Sequence, residues 1–156
     1  MNITPFGKKG PFFGERRVER QEIPLYEFEA IAGLIPLFTG QYQPVDYIVI
    51  PDVPRCDGAV YVRGDSMVPI LKSGDIVVYR QVHDLHNIIW GEMYLLSFNY
   101  DGEEYITVKY VHCVDGRPDV VELVSQNEVH APKIVALSDI RALAIVKASI
   151  RINTMG

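Results

Sequence analysis

The chain has 156 residues, 48% of them hydrophobic, which is enough for one substantial core and predicts a single domain. A net charge of -5 and a pI near 5.3 argue against a nucleic-acid surface within these residues, because nonspecific binding relies on clustered Lys and Arg. The sequence has no apolar run of about 18 residues and no signal peptide at its start. It therefore predicts a cytoplasmic protein with no membrane contact.

The first 22 residues combine basic side chains with glycine and proline, a composition that predicts a mobile arm. Two interpretations stay open, namely a linker to a DNA-binding domain that this chain lacks and a solvated tail with no role. The compact domain is predicted over residues 23–151. The basic residues of the arm are Lys8, Lys9, Arg16, Arg17 and Arg20.

Residues 23–40 have the pattern of an alternating strand that runs into small residues, of which Ala32 and Gly33 form the notable pair. A bond between two small residues is one that a catalytic group can approach closely. The alternative is an ordinary strand end or turn, with the glycine used for its backbone freedom. A further strand is predicted at residues 45–50.

Strands predicted at residues 60–62 and 76–79 are separated by the run Gly-Asp-Ser-Met-Val-Pro, which places Ser66 on a bend. A serine hydroxyl becomes a nucleophile only when a base reaches it. The chain has no Gly-x-Ser-x-Gly elbow, and its four histidines follow no Ser-His-Asp order. Lys109 is the best candidate base, because burial within the β-branched and aromatic run at residues 104–111 lowers the pKa of a lysine toward its neutral form.

The second half of the chain predicts further strands at residues 92–99, 104–113, 120–124 and 140–150. Asp101-Gly102 is typical of a tight hairpin turn, and this hairpin delivers Lys109. The order of strands suits an antiparallel meander. Residues 140–150 are too apolar for a bare sheet edge, so they are expected either to pair with a second copy or to be buried within the monomer.

The loop that contains His83 and His86 has only a loose metal-ligand spacing, which a solvated loop explains better than a zinc site. No metal and no cofactor is predicted. Trp90 is expected to anchor this loop to the core. Cys56 and Cys113 are expected to be free thiols in a reducing compartment.

Three runs of the sequence resemble the self-cleaving repressor family that includes LexA and phage repressors, the Ser-Lys peptidases of family S24. They are Gly-Asp-Ser-Met-x-Pro at residues 64–69, Gly-Asp-x-Val at 74–77 and Thr-Val-Lys at 107–109. The resemblance covers about residues 25–151. It implies a mostly β fold, a LexA- and signal-peptidase-like antiparallel domain of coiled small sheets.

The resemblance also implies the roles of individual residues. Ser66 would attack, Lys109 would accept its proton, and the backbone N–H groups of Asp65 and Ser66 would hold the oxyanion. The substrate would be the chain's own Ala32–Gly33 bond, 33 positions before the serine. Such a domain carries out self-cleavage and dimerisation in a LexA-like or phage-type transcriptional repressor.

The partners that the resemblance implies are a second copy in a homodimer and a recombinase filament acting as co-protease. DNA would be contacted only through a separate N-terminal helix-turn-helix domain that is not in this chain. Signal peptidases share the Ser-Lys chemistry but are held in a membrane. Two other functions stay open, a dimerisation module that does not cleave and a polymerase-accessory protein of the same family.

Overall fold

A computed structural model describes residues 20–27 and 33–153, and it confirms a mostly β fold with 47% strand and very little helix. Nine strands form one mixed sheet in the order β2-β1-β3-β4-β9-β5-β6-β7-β8. The strands are β1 Ile23–Tyr26, β2 Asp46–Ile48, β3 Gly58–Tyr61, β4 Ile76–Gln81, β5 Met93–Tyr100, β6 Glu103–Val114, β7 Arg117–Val124, β8 Lys133–Ala136 and β9 Ile140–Ile150. One short helix, α1 (Leu34–Phe38), and 3-10 turns at Leu85–Asn87 and Leu137–Asp139 complete the elements.

Most neighbouring strands run antiparallel, as the sequence predicts, and the parallel pair is β1 with β3. The hairpin of β5 and β6 turns at Asp101 and Gly102, whose φ values are 52° and 81°. Two successive positive φ angles are what a two-residue hairpin turn of the right twist requires. The Asp-Gly signal therefore predicted both the turn and the strand that carries Lys109.

Strand β9 lies inside the sheet, between β4 and β5. Residues 144–150 pair with β4, and residues 140–145 pair with β5. The apolar character of this strand is thus accounted for within the monomer. In the described part of the chain, residues 146–150 have no strand partner on the β5 side, because that pairing stops at Ile145.

The core nearest to the predicted catalytic residues packs side chains from the sheet against the bend after β3 and against α1. Tyr79, at 2% exposure, is among its largest members, and its ring lies against Gly58 of the adjacent strand. This packing lies at the start of β3, the strand that leads to the bend with Ser66. The core consists of Tyr26, Leu34, Leu37, Val60, Val62, Met67, Leu71, Val77, Tyr79, Leu95, Val108 and Ala144.

Residues 34–38 are helical, whereas the sequence pattern predicts a strand there. Leu34 and Leu37 are three positions apart and both fully or nearly buried, which is a helical rather than an alternating arrangement. Pro36 lies in the first turn, where its missing N–H would have no helical partner in any case. Five residues are too few for the helical period to be evident in the sequence.

The expected role of Trp90 is wrong, because this side chain is 47% exposed. Ile88 provides the anchor instead and is 8% exposed. The hydroxyl of Tyr94, a fully buried residue of β5, accepts the N–H of Ile89 at 2.7 Å and so holds the same turn. The aliphatic side chain of Ile88 and the buried Tyr94 thus anchor this loop in place of the predicted tryptophan.

Both cysteines are free thiols, Cys56 buried and Cys113 exposed. No described helix has the length and apolarity to cross a bilayer. Within residues 20–27 and 33–153, no three His, Cys, Asp or Glu side chains gather as metal ligands would. Residues 1–19 of the predicted N-terminal arm lie outside the described residues.

Candidate active site

Ser66 lies on the bend between β3 and β4, and the bend is closed by backbone hydrogen bonds. The N–H of Val62 donates to the backbone carbonyl of Asp75 at 2.8 Å, and the N–H of Gly74 donates to the backbone carbonyl of Val62 at 2.9 Å. Met67 and Leu71 are 4% and 2% exposed and anchor the bend in the core. Ser66 is therefore half-buried on a bend that two buried apolar side chains hold in place.

The Gly-Asp-x-Val run that follows Ser66 has a structural role through Asp75, a buried carboxylate. Asp75 accepts the N–H of Lys72 at 2.8 Å and the guanidinium of Arg151 at 2.7–3.1 Å. The hydrogen bond from Arg151 holds the pKa of Asp75 below its ordinary value. Arg151 also donates to the carbonyls of Pro69 and Ile70, each at 3.3 Å. The residue that follows β9 therefore stabilises the bend.

A loop between β7 and β8 holds the other side of the bend. The N–H of Asn127 donates to the carbonyl of Ser66 at 2.9 Å, and its Nδ2 donates to the carbonyl of Asp65 at 3.1 Å. The Nε2 of His130 lies 2.8 Å from Oδ1 of Asp65. The two hydrogen bonds from Asn127 hold the carbonyl oxygens of the two residues whose backbone N–H groups are predicted to bind the oxyanion.

The same loop is tied to β6, the strand of Lys109. The hydroxyl of Tyr110 donates to Oε1 of Gln126 at 2.7 Å, and the N–H of Gln126 meets the sulfur of Met67 at 3.4 Å. The bend with Ser66 and the strand with Lys109 are thus joined through one loop. No sequence motif predicted these contacts of Gln126, Asn127 and His130.

Lys109 is half-buried on β6, opposite Tyr94 of β5. Burial lowers the pKa of Lys109, and the negative charge of Asp65 partly opposes that shift. In the described part of the chain no hydrogen bond joins Ser66 Oγ to Lys109 Nζ. Catalytic hydrogen bonds are commonly loose without substrate and tighten only when substrate binds.

Two cavities flank the stretch of β6 just before Lys109, and Ile106 and Thr107 line both. One cavity, of about 50 Å³, borders Ser66 and has mainly apolar walls that include Met67 and Leu95. The other borders Lys109 and His130. The predicted nucleophile and base therefore border two cavities that share the same short segment of β6.

The edge of β6 beside these cavities is open. Pairing between β6 and β7 begins at Tyr110 and Val124, so residues 103–109 have no described strand partner on that side. Unpaired N–H and C=O groups of such an edge bind extended peptides by adding a strand. The open edge ends at Lys109.

The predicted cleavage site is described only in part, because Ala32 lies outside the described residues. Gly33 is buried, and a Cβ placed on it would lie 3.4 Å from Pro36 and 3.9 Å from the carboxylate of Glu104. Glu104 precedes Lys109 by five residues, about 16 Å along an extended strand. Gly33 thus lies near the start of β6, and its nearest side chains are not Ser66 or Lys109.

The backbone of Gly33 has φ 145° and ψ 151°, a region that only glycine adopts readily. The conformational interpretation of this glycine thus has direct support. It does not exclude the cleavage interpretation, because one residue can serve both purposes. Both Gly33 and Ala32 remain predicted cleavage-site residues.

The family model described as peptidase S24-like matches residues 24–147, a span that includes both Ser66 and Lys109. The chain belongs to the peptidase S24-like family. This confirms the family that the three sequence motifs indicated. Comparison with curated proteins gives no match.

Membership in the S24 family establishes a peptidase-related domain of the LexA type with a serine-peptidase fold. The family match spans most of the compact part of the chain. It covers β1 through most of β9 but ends before Arg151.

Proposed function

We propose that this S24 domain cleaves its own chain at the Ala32–Gly33 bond, with Ser66 as nucleophile and Lys109 as general base. The observation that supports this most is that one loop joins the bend that holds Ser66 to the strand that carries Lys109, a half-buried lysine whose pKa is lowered. A lysine accepts a proton only when it is neutral, and burial favours that form.

The reaction has two stages. Ser66 Oγ attacks the carbonyl carbon of Ala32 while its proton passes to Lys109 Nζ, and the backbone N–H groups of Asp65 and Ser66 stabilise the oxyanion. The C–N bond to Gly33 then breaks, and the Lys109 ammonium protonates the departing amine. Water, deprotonated by Lys109, finally hydrolyses the ester between Ser66 and Ala32 and regenerates the serine.

The substrate segment would bind as an added strand along residues 103–109 of β6. This edge is open and leads directly to Lys109. The small apolar cavity beside Ser66 suits a side chain as small as that of Ala32. Because Gly33 lies beside Glu104 in this conformation, cleavage requires Gly33 to move from there to Ser66.

The biological role that we infer is the self-cleavage and dimerisation part of a LexA-like or phage-type transcriptional repressor, acting in the cytoplasm. DNA would be bound by a separate helix-turn-helix domain, and a recombinase filament would act as co-protease. The open side of residues 146–150 in β9 offers an edge on which a second copy would pair antiparallel to form the homodimer.

The test is an alkaline incubation of the purified chain followed by intact-mass measurement. Cleavage at the proposed bond gives two fragments, residues 1–32 and 33–156. Replacing Gly33 is a poor test of the bond, because any side chain at its φ of 145° strains the backbone. The fragment masses of the unaltered chain identify the bond without this complication.

A non-cleaving dimerisation module is the second candidate, and the position of Gly33 beside Glu104 favours it. Such a module gives no fragments at any pH. A polymerase-accessory protein of the same family would cleave by the same chemistry but would have no DNA-binding domain. The reading frame upstream of this chain distinguishes that protein from a repressor.

A further inference from the structure

The peptide group between Asp65 and Ser66 carries one of the two N–H groups proposed to bind the oxyanion. Asn127 Nδ2 donates to the oxygen of this peptide group at 3.1 Å. We propose that Asn127 is a positioning residue of the oxyanion hole, which orients this peptide so that the N–H of Ser66 faces the substrate carbonyl. The inference rests on the proposed self-cleavage and adds to it a residue outside the dyad.

The orientation follows from peptide geometry. In a planar trans peptide the C=O and the N–H point in opposite directions, so a donor that holds the oxygen on one side directs the N–H to the other. The backbone N–H of Asn127 also holds the next carbonyl, that of Ser66, at 2.9 Å. Within residues 20–27 and 33–153, the N–H of Ser66 has no hydrogen-bond partner. Among the described residues, nothing therefore occupies this donor, and it can bind a ligand.

The side-chain amide of Asn127 has a defined orientation. Its Oδ1 accepts the N–H of Val129 at 3.2 Å, so the Nδ2 group is the one that faces Asp65. The N–H of His130 donates to the carbonyl of Asn127 at 3.1 Å. The preceding residue, Gln126, is held by Tyr110 on the strand of Lys109. Through Gln126 and Asn127, the strand β6 is thus linked by hydrogen bonds to the peptide group at Ser66.

Hydrogen bonds to the carbonyl of Asp65 also polarise the peptide group between Asp65 and Ser66, in addition to orienting it. The carbonyl of Asp65 accepts a second hydrogen bond, from the N–H of Val68 at 3.2 Å. A peptide whose oxygen accepts hydrogen bonds donates more strongly through its N–H. Because Val68 remains when Asn127 is changed, the loss should be smaller than the roughly 100- to 1,000-fold caused by deleting a direct oxyanion donor. We expect about a tenfold loss.

The test compares Asn127→Ala with His130→Ala in the full chain, by following self-cleavage from pH 7 to pH 11. His130 belongs to the same loop but contacts the side chain of Asp65 rather than its peptide group. Asn127→Ala should lower the alkaline plateau rate about tenfold while the pH midpoint, set by Lys109, stays in place. His130→Ala should keep the plateau within about twofold. Melting temperatures show that each variant is folded.

A second variant serves if Asn127→Ala does not fold. Asn127→Asp keeps the acceptor for the N–H of Val129 but cannot donate to the carbonyl of Asp65. It should lose at least as much of the plateau rate as expected for the alanine variant. Its added negative charge should also raise the pH midpoint, because a nearby anion stabilises the Lys109 cation.

Each outcome is decisive. An unchanged plateau in Asn127→Ala, or an equal loss in Asn127→Ala and His130→Ala, overturns the inference while leaving self-cleavage intact. A shifted midpoint with an unchanged plateau in the alanine variant overturns it as well. If the unaltered chain gives no fragments at any pH, the proposed function itself is wrong, and the role of Asn127 in it is wrong too.

Discussion

Lys109 is the residue whose protonation should set the cleavage rate. Its pKa is lowered by burial, and only the neutral amine accepts the proton of Ser66. The rate should therefore rise with pH and level off once the lysine is fully neutral, at a midpoint below the ordinary lysine pKa of about 10.4. A pH-rate profile of the unaltered chain measures this midpoint.

Asp65→Asn tests the charge that acts on Lys109. The carboxylate of Asp65 raises the pKa of the lysine against the effect of burial, so removing that charge should lower the pKa further. The pH-rate profile should shift to lower pH, with faster cleavage near pH 7 than in the unaltered chain. The backbone carbonyl that Asn127 holds is retained. An unshifted profile, or a shift to higher pH, would show that Asp65 does not act on the base.

The residues of the site differed in how well the sequence predicted them. Ser66 and Lys109 stand in short runs whose residue types and order are informative, and both are in the family match. Asn127 could not be predicted, because its contact with Asp65 joins residues 62 positions apart through a loop with no periodic pattern. The contact of His130 with Asp65 could not be predicted for the same reason.

Strand β3 begins at Gly58, where the neighbouring Tyr79 leaves no room for a side chain. A Cβ at Gly58 would clash with the ring and hydroxyl of Tyr79, a side chain that is 2% exposed and cannot move aside. Gly58→Ala should lower the free energy of unfolding by about 1–3 kcal/mol, measured by urea denaturation. Tyr79→Phe removes the atom nearest to the clash, so part of the loss should be recovered in the double variant. Equal stability of Gly58→Ala and the unaltered chain would contradict this packing.

The ion pair of Asp75 and Arg151 joins the start of β4 to the end of β9. The pKa of Asp75 is lowered on folding, so the pair stabilises the native state above the ordinary pKa of about 3.9 and ceases to do so as pH falls through the lowered value. Asp75→Asn should lower the melting temperature at pH 7 by about 5–10 °C. Thermal denaturation at a series of pH values should show this gap narrowing below about pH 4. A gap that is constant with pH would contradict the assigned role.

The elements were predictable where their signals are local. Runs of β-branched residues located the strands apart from β8, a four-residue strand that was not predicted, and Asp101-Gly102 located the hairpin. The insertion of β9 between β4 and β5 was not predicted, because strand pairing across most of the chain leaves no local signal. Helix α1 was missed because five residues display less than two turns of the helical period.

The whole molecule should form a homodimer through the open side of residues 146–150. This edge belongs to a strand that is otherwise fully integrated in the sheet, so pairing with a second copy would extend the sheet without unfolding either protomer. Size-exclusion chromatography with light scattering should give twice the chain mass of 17.6 kDa. A strict monomer at all concentrations would contradict this expectation.

Self-cleavage by Ser66 and Lys109 is tested most directly by one time course at pH 7 and pH 10, followed by intact mass. The unaltered chain should give fragments 1–32 and 33–156, faster at pH 10 than at pH 7. Ser66→Ala and Lys109→Ala should give none, because each removes a group that the first proton transfer requires. Fragments at a different bond would contradict only the cleavage site. Fragments from Lys109→Ala at the rate of the unaltered chain would contradict the Ser-Lys mechanism.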